Sequence, residues 1–285
     1  NTVPPPSSSK KLTSSPTAMP TRSLTLRIYG LVITACSVLL FAVVPKRAMA
    51  QSFAAPEPFG GAQAVKWLIE QEFVMAPEEV AMGTEGAVEL AFTVQADGTP
   101  KNMRVSRTLG EANDKEALRV ASLIRWFPAS VGGSALDKEH TLLVPISAKR
   151  YKKAHAKDGP PPAFVALPAD DSGMLYPDKG LDSLAAPLIA KGLRGLQAYL
   201  AENLRYPEDA RRRDIQGKVG VEFTVETSGH TANVRTLDAL GAGCDEEAMR
   251  LIRSIKWRPA IKDGKRVRSI LKLDIVFRLD TNRRP

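Results

Sequence analysis

The 285-residue sequence contains few of the side chains that form cross-links or metal sites: it has 2 cysteines and 3 histidines. A disulfide framework is excluded because Cys36 lies in a segment that we expect to be removed, which leaves Cys244 alone. His140, His155 and His230 are scattered, and none has a second ligand at metal-binding spacing. No serine, cysteine and histidine array of a hydrolase is present. The sequence therefore predicts no cofactor and no enzymatic activity.

Two further features that could carry chemistry have simpler structural explanations. Cys244 precedes a predicted helix, where a thiol pKa tends to fall, but its small neighbours favour a buried, unreactive thiol. Trp126 and Trp257 follow equivalent predicted helices, so we expect them in the core rather than stacked on a ligand.

Acidic residues are fewer than basic ones: the sequence has 31 Asp and Glu and 40 Lys and Arg, which gives a formal net charge of +9. This charge predicts attraction to anionic surfaces, although a solvated basic surface is the simpler explanation. With 44% hydrophobic and 25% charged residues, the composition is that of a globular protein. The length suffices for two domains.

Residues 1–50 resemble an export signal. Residues 28–44 carry no charge, Arg22 and Arg27 precede them, and a small-residue cleavage pattern ends at Ala50. We therefore expect a signal peptide that is cleaved there and export to the periplasm. The alternative is a retained single anchor in the inner membrane, although about 17 apolar residues is short for a span of roughly 20.

The rest of the sequence contains one pattern twice. When the chain is shifted by 131 positions, residues 86–129 align with residues 217–260 without a gap, and roughly 18 of about 44 positions are identical. We therefore divide the chain into a first copy (51–151) and a second copy (191–285). Between them lies a proline-rich connecting segment (152–190), which we expect to be a linker able to span about 130 Å at about 3.3 Å per residue.

Each copy shows the same order of elements: helix, strand, strand, helix, strand. In the second copy, apolar residues alternate over 219–225, which indicates a strand with one buried face. A turn at Ser228 and Gly229 leads to a second strand that runs through Val234 to about Asp238, and Asp245 is placed to cap a helix. The last strand covers 270–279. Because a tight turn joins antiparallel strands, the predicted class is α+β, with two small two-layer modules that each have an antiparallel three-stranded sheet.

Several motifs of the second copy occur in a defined order. They are L-x-Y-P-E-D-A at 204–210, G-K-V-x-V-x-F-T-V at 217–225, C-D-E-E-A at 244–248 and W-R-P-A at 257–260. In this order they resemble the C-terminal domain of the energy transducer TonB. The first copy is degenerate, since Met75-Ala76-Pro77 replaces the tyrosine-proline motif, and whether it binds a partner is left open.

The resemblance implies a binding protein that pairs its last strand with a short extended peptide, the box of outer-membrane TonB-dependent receptors. Alternation allows either set of side chains on this strand to face outward, and the apolar Leu273, Ile275 and Phe277 favour the even-numbered set. The segment before the tyrosine-proline turn also contacts the peptide in the family. The corresponding partner-binding residues are Arg205, Tyr206, Pro207, Ile270, Lys272, Asp274 and Val276.

Two functions remain open at this point. The first is energy-dependent uptake, with an inner-membrane proton-channel complex as a further partner, although the apolar run lacks the histidine that family anchors carry. The second is a soluble periplasmic adaptor for envelope proteins or anionic wall polymer, without energy coupling. Seven cations close together in the second copy would suit such a polymer: Arg250, Arg253, Lys256, Arg258, Lys262, Lys265 and Arg266. The export signal argues against nucleic acid as a partner.

Overall fold

The computed structural model describes residues 52–156 and 162–279. Residues 1–50, with the predicted signal peptide or anchor, lie outside the described residues. Among the residues that are described, no helix has the length and apolar character needed to cross a membrane.

The first copy is built on a sheet of three antiparallel strands in which the first of the three lies in the centre. Its elements are β1 (Phe53–Ala54), β2 (Glu57–Pro58), α1 (Gly61–Glu72), α2 (Pro77–Met82), β3 (Glu85–Val94), β4 (Pro100–Arg107), α3 (Glu111–Ser122), β5 (Trp126–Phe127), β6 (Ala129–Val131), β7 (Ser134–Leu136), β8 (Lys138–Ser147) and α4 (Ala148–His155). The sheet order is β4-β3-β8, and both strand pairs are antiparallel. This confirms the predicted fold class for the first copy.

The second copy repeats this order with additions. The connecting segment contributes β9 (Leu175–Tyr176) and β10 (Ala186–Pro187), and the second copy contributes α5 (Leu196–Asn203), α6 (Glu208–Arg212), β11 (Gly217–Val225), β12 (Thr231–Asp238), α7 (Cys244–Ser254), β13 (Trp257–Arg258), β14 (Ala260–Lys262) and β15 (Lys265–Phe277). The equivalent three strands have the order β12-β11-β15, with β11 in the centre, but β14 and β9 extend the sheet to five strands. The last strand therefore begins five residues earlier than predicted, because the hairpin at Asp263 and Gly264 continues directly into it.

Both cores form from the alternating residues that the sequence indicated. On the inner faces of β3 and β11, the side chains are at most 1% exposed, and they pack against the apolar faces of α3 and α7. Trp126 and Trp257 are buried, and each lies 5.3 Å between ring centroids from the corresponding phenylalanine, Phe92 or Phe223. Their predicted core role is confirmed. Cys244 is also buried, and burial raises the pKa of its thiol, with Asp245 and Glu246 adding to this effect.

The prediction that Asp245 caps α7 was wrong in its detail. The residue before the helix is Gly243, and the carboxylate of Asp245 instead accepts the backbone N–H groups of Leu240 and Gly241 at 2.8 and 3.0 Å. Asp114 accepts the N–H of Leu109 at 3.0 Å in the same way. Both aspartates therefore hold the loop that leads into the helix, so they satisfy donors outside the helix rather than its own first turn.

The connecting segment is bound to the second copy and is not a free spacer. Its first residues belong to α4, and later residues form strands with β15 and β13. The N–H of Arg266 donates to the carbonyl of Pro168, and the N–H of Asp170 donates to the carbonyl of Arg266, both at 2.8 Å. Tyr176, together with Leu181 and Ile189, packs against the core of the second copy. The predicted span of about 130 Å is therefore wrong for the described residues, because backbone pairing and apolar burial outweigh the freedom of the chain.

The two copies also contact each other directly. The side-chain amide of Asn233 donates to the carbonyl of Leu123 at 2.9 Å, and its oxygen accepts the N–H of Arg125 at 2.8 Å. Ala232, on the same strand β12, belongs to the apolar core of the first copy. Asn233 has a φ of 52°, in the left-handed region that asparagine tolerates. This irregularity in β12 presents its side chain to the first copy.

Candidate functional site

Strand β15 is paired along one side over most of its length. On that side, β14 pairs with 265–267 and β11 pairs with 269–277, both antiparallel. Ser269 pairs with Val225 of β11 and also with Tyr176 of β9. Since a strand residue has one neighbour on each side, β9 lies on the side opposite β11.

The connecting segment covers only the beginning of that opposite side. Ala169 bridges to Arg266, and β9 pairs with Arg268 and Ser269 in parallel. From 270 to 277, no strand of the described residues pairs with this side of β15. We call this stretch the open edge.

The backbone groups of alternate residues point into the open edge. Both the N–H and the carbonyl of Arg266 bond to the connecting segment. Strand groups repeat with a period of two, and the pairing with β11 shows no register break from 269 to 277. The N–H and C=O groups of Lys272, Asp274 and Val276 therefore face the same side as those of Arg266, where the described residues offer them no strand partner.

From 270 to 277, the even-numbered side chains of β15 face outward and the odd-numbered ones face the core. Lys272, Asp274 and Val276 are exposed and Ile270 is half-buried, whereas Ile275 and Phe277 are buried. Two of the exposed charges are paired across the sheet, with Lys272 Nζ 3.5 Å from Glu222 and Asp274 3.6 Å from Lys218 Nζ. The structure thus places these four residues on the edge strand, and their partner-binding role stays a prediction.

Tyr206 lies against the end of β15. Its ring is 5.7 Å from that of Phe277, nearly perpendicular, and its hydroxyl donates to the carbonyl of Ile215 at 2.5 Å. Partial burial raises the pKa of Tyr206, and the nearby Cys244 and Asp214 add to this shift. The hydroxyl and the ring are therefore engaged within the protein, so Tyr206 fixes the segment beside the open edge rather than offering a free phenol.

A carboxylate on α7 holds the residue before Tyr206. Glu247 accepts the backbone N–H of Arg205 at 2.6 Å and binds the guanidinium of Arg250 through two bonds of 2.7 Å. The side chain of Arg205 is exposed. In the sequence, Glu247 was visible only as part of the C-D-E-E-A motif at 244–248. We call this arrangement, in which Glu247 binds both the N–H of Arg205 and the guanidinium of Arg250, the clamp. The matching pair of Glu116 and Arg119 in the first copy was the sequence signal that could have revealed it.

The first copy has the same clamp. Glu116 accepts the N–H of Val74 at 2.8 Å and pairs with Arg119, whose guanidinium also donates to the carbonyl of Glu72. The two modules therefore position the segment before their proline in the same manner. Differences in binding must therefore come from the side chains of this segment, where Val74 and Met75 replace Arg205 and Tyr206, or from the strand itself.

The strand of the first copy differs at the open-edge positions. With the shift of 131 residues, Thr141, Leu143 and Pro145 correspond to Lys272, Asp274 and Val276. All three first-copy residues are exposed. Proline has no N–H, so Pro145 removes a donor at the position of Val276 and disfavours pairing with another strand. Pro145 therefore argues against strand addition to the first copy, a question that the altered tyrosine-proline motif alone left open.

The predicted basic cluster does not form one free surface. The guanidinium of Arg250 is held by Glu247, and that of Arg266 donates to the carbonyls of Leu167 and Thr227. Arg253 is half-buried, and burial lowers its pKa. Three of the seven cations are thus held in or partly buried by the protein, which weakens the case for a polymer-binding patch.

Comparison with known proteins gives one family. The model of the Gram-negative bacterial TonB protein C-terminal family matches residues 76–147 and 202–279, which together make up more than half of the chain. The comparison with curated proteins gave no match. A solution NMR structure of the Pseudomonas aeruginosa TonB CTD matches with 21% sequence identity and a TM-score of 0.26, and the match covers 38% of this chain and 97% of that one.

Proposed function

Because this chain belongs to the Gram-negative bacterial TonB protein C-terminal family, we propose that its second copy binds the box peptide of outer-membrane TonB-dependent receptors and thereby supports energy-dependent uptake. The peptide would add to β15 as a further strand at the open edge. The observation that carries this proposal is the run of Lys272, Asp274 and Val276, whose backbone groups point to a side of the sheet where no described strand pairs with them.

The strength of such binding follows from the number of free groups. Three residues offer three donors and three acceptors, and six ladder bonds at about 0.5–1.5 kcal/mol each contribute about 3–9 kcal/mol. Association itself costs at least about 4 kcal/mol. Backbone pairing alone therefore supports weak binding, and side-chain contacts must add the remainder. The exposed side chains of Arg205 and Val276 lie on the elements that border the edge and are the first candidates.

The structure supports assigning this role to the second copy alone. Pro145 removes one of the three donors from the first copy, whereas Val276 retains it. We infer that the first copy has a structural role and stabilises the sheet of the second copy. It supplies Leu123 and Arg125 to the contact with Asn233, on the strand at the far border of the sheet.

The test is a proline substitution at the open edge of the exported chain. Isothermal titration with a synthetic receptor-box peptide should show binding to the native protein. Val276→Pro should weaken it about 5- to 100-fold, because the guest strand loses one bond and its carbonyl is left unpaired. Proline should be tolerated there, since the first copy carries one at the corresponding position.

Two matched controls separate the backbone from the side chain. Val276→Ala keeps the N–H and should change affinity less than Val276→Pro. Thr141→Pro places proline on the open side of β8 in the first copy and should leave affinity unchanged. Equal binding by Val276→Pro and Val276→Ala would show that strand addition is the wrong mechanism.

A second candidate is a periplasmic adaptor without energy coupling, and one observation favours it. The connecting segment is bonded to β15 and β13, so the described residues contain no long free spacer between the copies. We propose export in either case, either with a signal peptide cleaved after Ala50 or with the apolar run retained as an anchor. N-terminal sequencing of the native protein decides between the candidates: a chain that begins at Gln51 favours the adaptor, whereas a retained apolar run in the membrane fraction favours force transmission.

A further inference from the structure

A groove of about 390 Å³ lies in the first copy between α1, the end of β8 and α4. Its floor includes Phe73, Met75 and Ile146, each at most 6% exposed. The volume falls within the range of about 300–1,000 Å³ that is typical of small-molecule sites. The groove is distinct from the open edge, which belongs to the second copy.

Two replacements and one added helix create this groove. Met75 and Ile146 correspond to Tyr206 and Phe277 of the second copy, whose aromatic rings lie 5.7 Å apart between centroids. Helix α4 then adds a wall that includes Tyr151.

The rim of the groove is positively charged. Lys66, Arg150 and Lys153 line it together with one acid, Glu70. Within the described ranges, none of these four side chains has an ion pair. The chain's own N-terminal residues carry an excess of basic side chains, since residues 1–51 contain no acid. Charge complementarity therefore favours an anionic occupant from outside the chain.

The lining also argues against a peptide. Pro145 lacks an N–H, and the hydroxyl of Ser147 already donates to Glu85 at 2.9 Å and accepts the N–H of Arg150 at 3.2 Å. A peptide backbone buried here would leave polar groups unpaired, whereas an acyl chain has none to satisfy. We propose that the groove binds a single acyl chain with an anionic head group, the head lying among Lys66, Arg150 and Lys153.

Titration of the exported chain with dodecanoate, below its micelle concentration, tests this proposal. We expect one bound ligand per chain and binding at least about tenfold weaker for dodecyltrimethylammonium, which has the same chain and the opposite charge. A lysophosphatidylglycerol with the same acyl chain forms the second arm. The tighter of the two anionic ligands identifies a free fatty acid or a lipid as the source.

Helix α4 offers a matched pair of charge variants. R150E/K153E should weaken dodecanoate binding at least about tenfold, whereas K149E/K152E makes the same charge change outside the groove and should leave it within about twofold. Met75→Tyr, which introduces the residue found in the second copy, should block binding by filling the floor. Circular dichroism checks that each variant is folded.

Three results would overturn the proposal. The first is no dodecanoate binding by the folded native chain. The second is equal loss in both charge pairs, or full binding by Met75→Tyr, because the ligand would then lie elsewhere. The third is tighter binding of an acidic, leucine-rich peptide than of either acyl ligand, which would make the groove a peptide site.

Discussion

Replacement of Glu226 by alanine would leave the guanidinium of Arg268 buried without its carboxylate. In the native protein Arg268 binds that carboxylate through bonds of 2.6 and 3.0 Å, and the two side chains are 8% and 1% exposed. Burial raises the pKa of Glu226, and Arg268 opposes that shift. The same guanidinium donates to the carbonyls of Leu123 and Gly173, both at 2.9 Å. This ion pair therefore joins the second copy to the first copy and to the connecting segment.

The expected cost follows from this burial. Removal of one partner from a buried ion pair destabilises a protein by about 3–5 kcal/mol, because an uncompensated charge remains. An exposed pair contributes about 0–1 kcal/mol. Asp274, whose pair with Lys218 lies on the same sheet with both side chains at least 60% exposed, provides the control. Glu226→Ala should therefore lower the free energy of unfolding several times more than Asp274→Ala.

Urea unfolding at pH 7 measures both variants, with unchanged slopes required before the free energies are compared. The double variant E226L/R268M removes both charges and should recover part of the loss, although two carbonyls lose their donor. If Glu226→Ala costs no more than Asp274→Ala, the pair is hydrated and does not hold the two copies together. Equal losses in the single and double variants would likewise count against an uncompensated charge as the cause.

Two further predictions concern the turns and the acid stability. Gly229→Ala should lower the free energy of unfolding by about 2–4 kcal/mol in the same urea assay, because the residue has a φ of +88° and its new Cβ would lie 2.3 Å from the carbonyl oxygen of Trp257. Gly264 has a φ of +70° but no atom within 4 Å of the position of a Cβ, so Gly264→Ala should lower it by only about 1 kcal/mol. Burial opposes ionisation of Glu72, but hydrogen bonds and charge from His230 and its other neighbours outweigh it and lower its pKa below the ordinary 4.5. Its carboxylate therefore stabilises the fold above pH 4.5, and this contribution is lost as the pH falls through the folded pKa. Glu72→Gln should show a smaller loss of stability with acid than the native protein, and an equal loss would show that Glu72 is not responsible.

The sequence was most informative where one element repeats a simple period. Alternation over 219–225 identified the inner face of β11, and the same pattern identified that of β3, because a strand places every second side chain in the core. Comparison of the two copies also placed Trp126 and Trp257 correctly. The internal repeat made these predictions stronger, since each element was observed twice.

The sequence was least informative where residues distant in the chain pair through their backbones. The connecting segment shows no periodicity, yet its carbonyls and N–H groups bond to Arg266. Backbone groups are the same in every residue except proline, so their pairing leaves little trace in composition. For the same reason the sequence could not show which part of β15 was already covered by β9.

By itself, therefore, the sequence determined the repeated α+β module, its core residues and the outward set on the last strand, because these depend on periodic burial within single elements. Tertiary structure decided which side of β15 stays unpaired, how the copies pack, and that Tyr206 and Glu247 hold the border of that edge. Those features depend on contacts such as that between Arg268 and Leu123, 145 residues apart. A local pattern reports the burial of its own residues but not the identity of the distant groups that bury them.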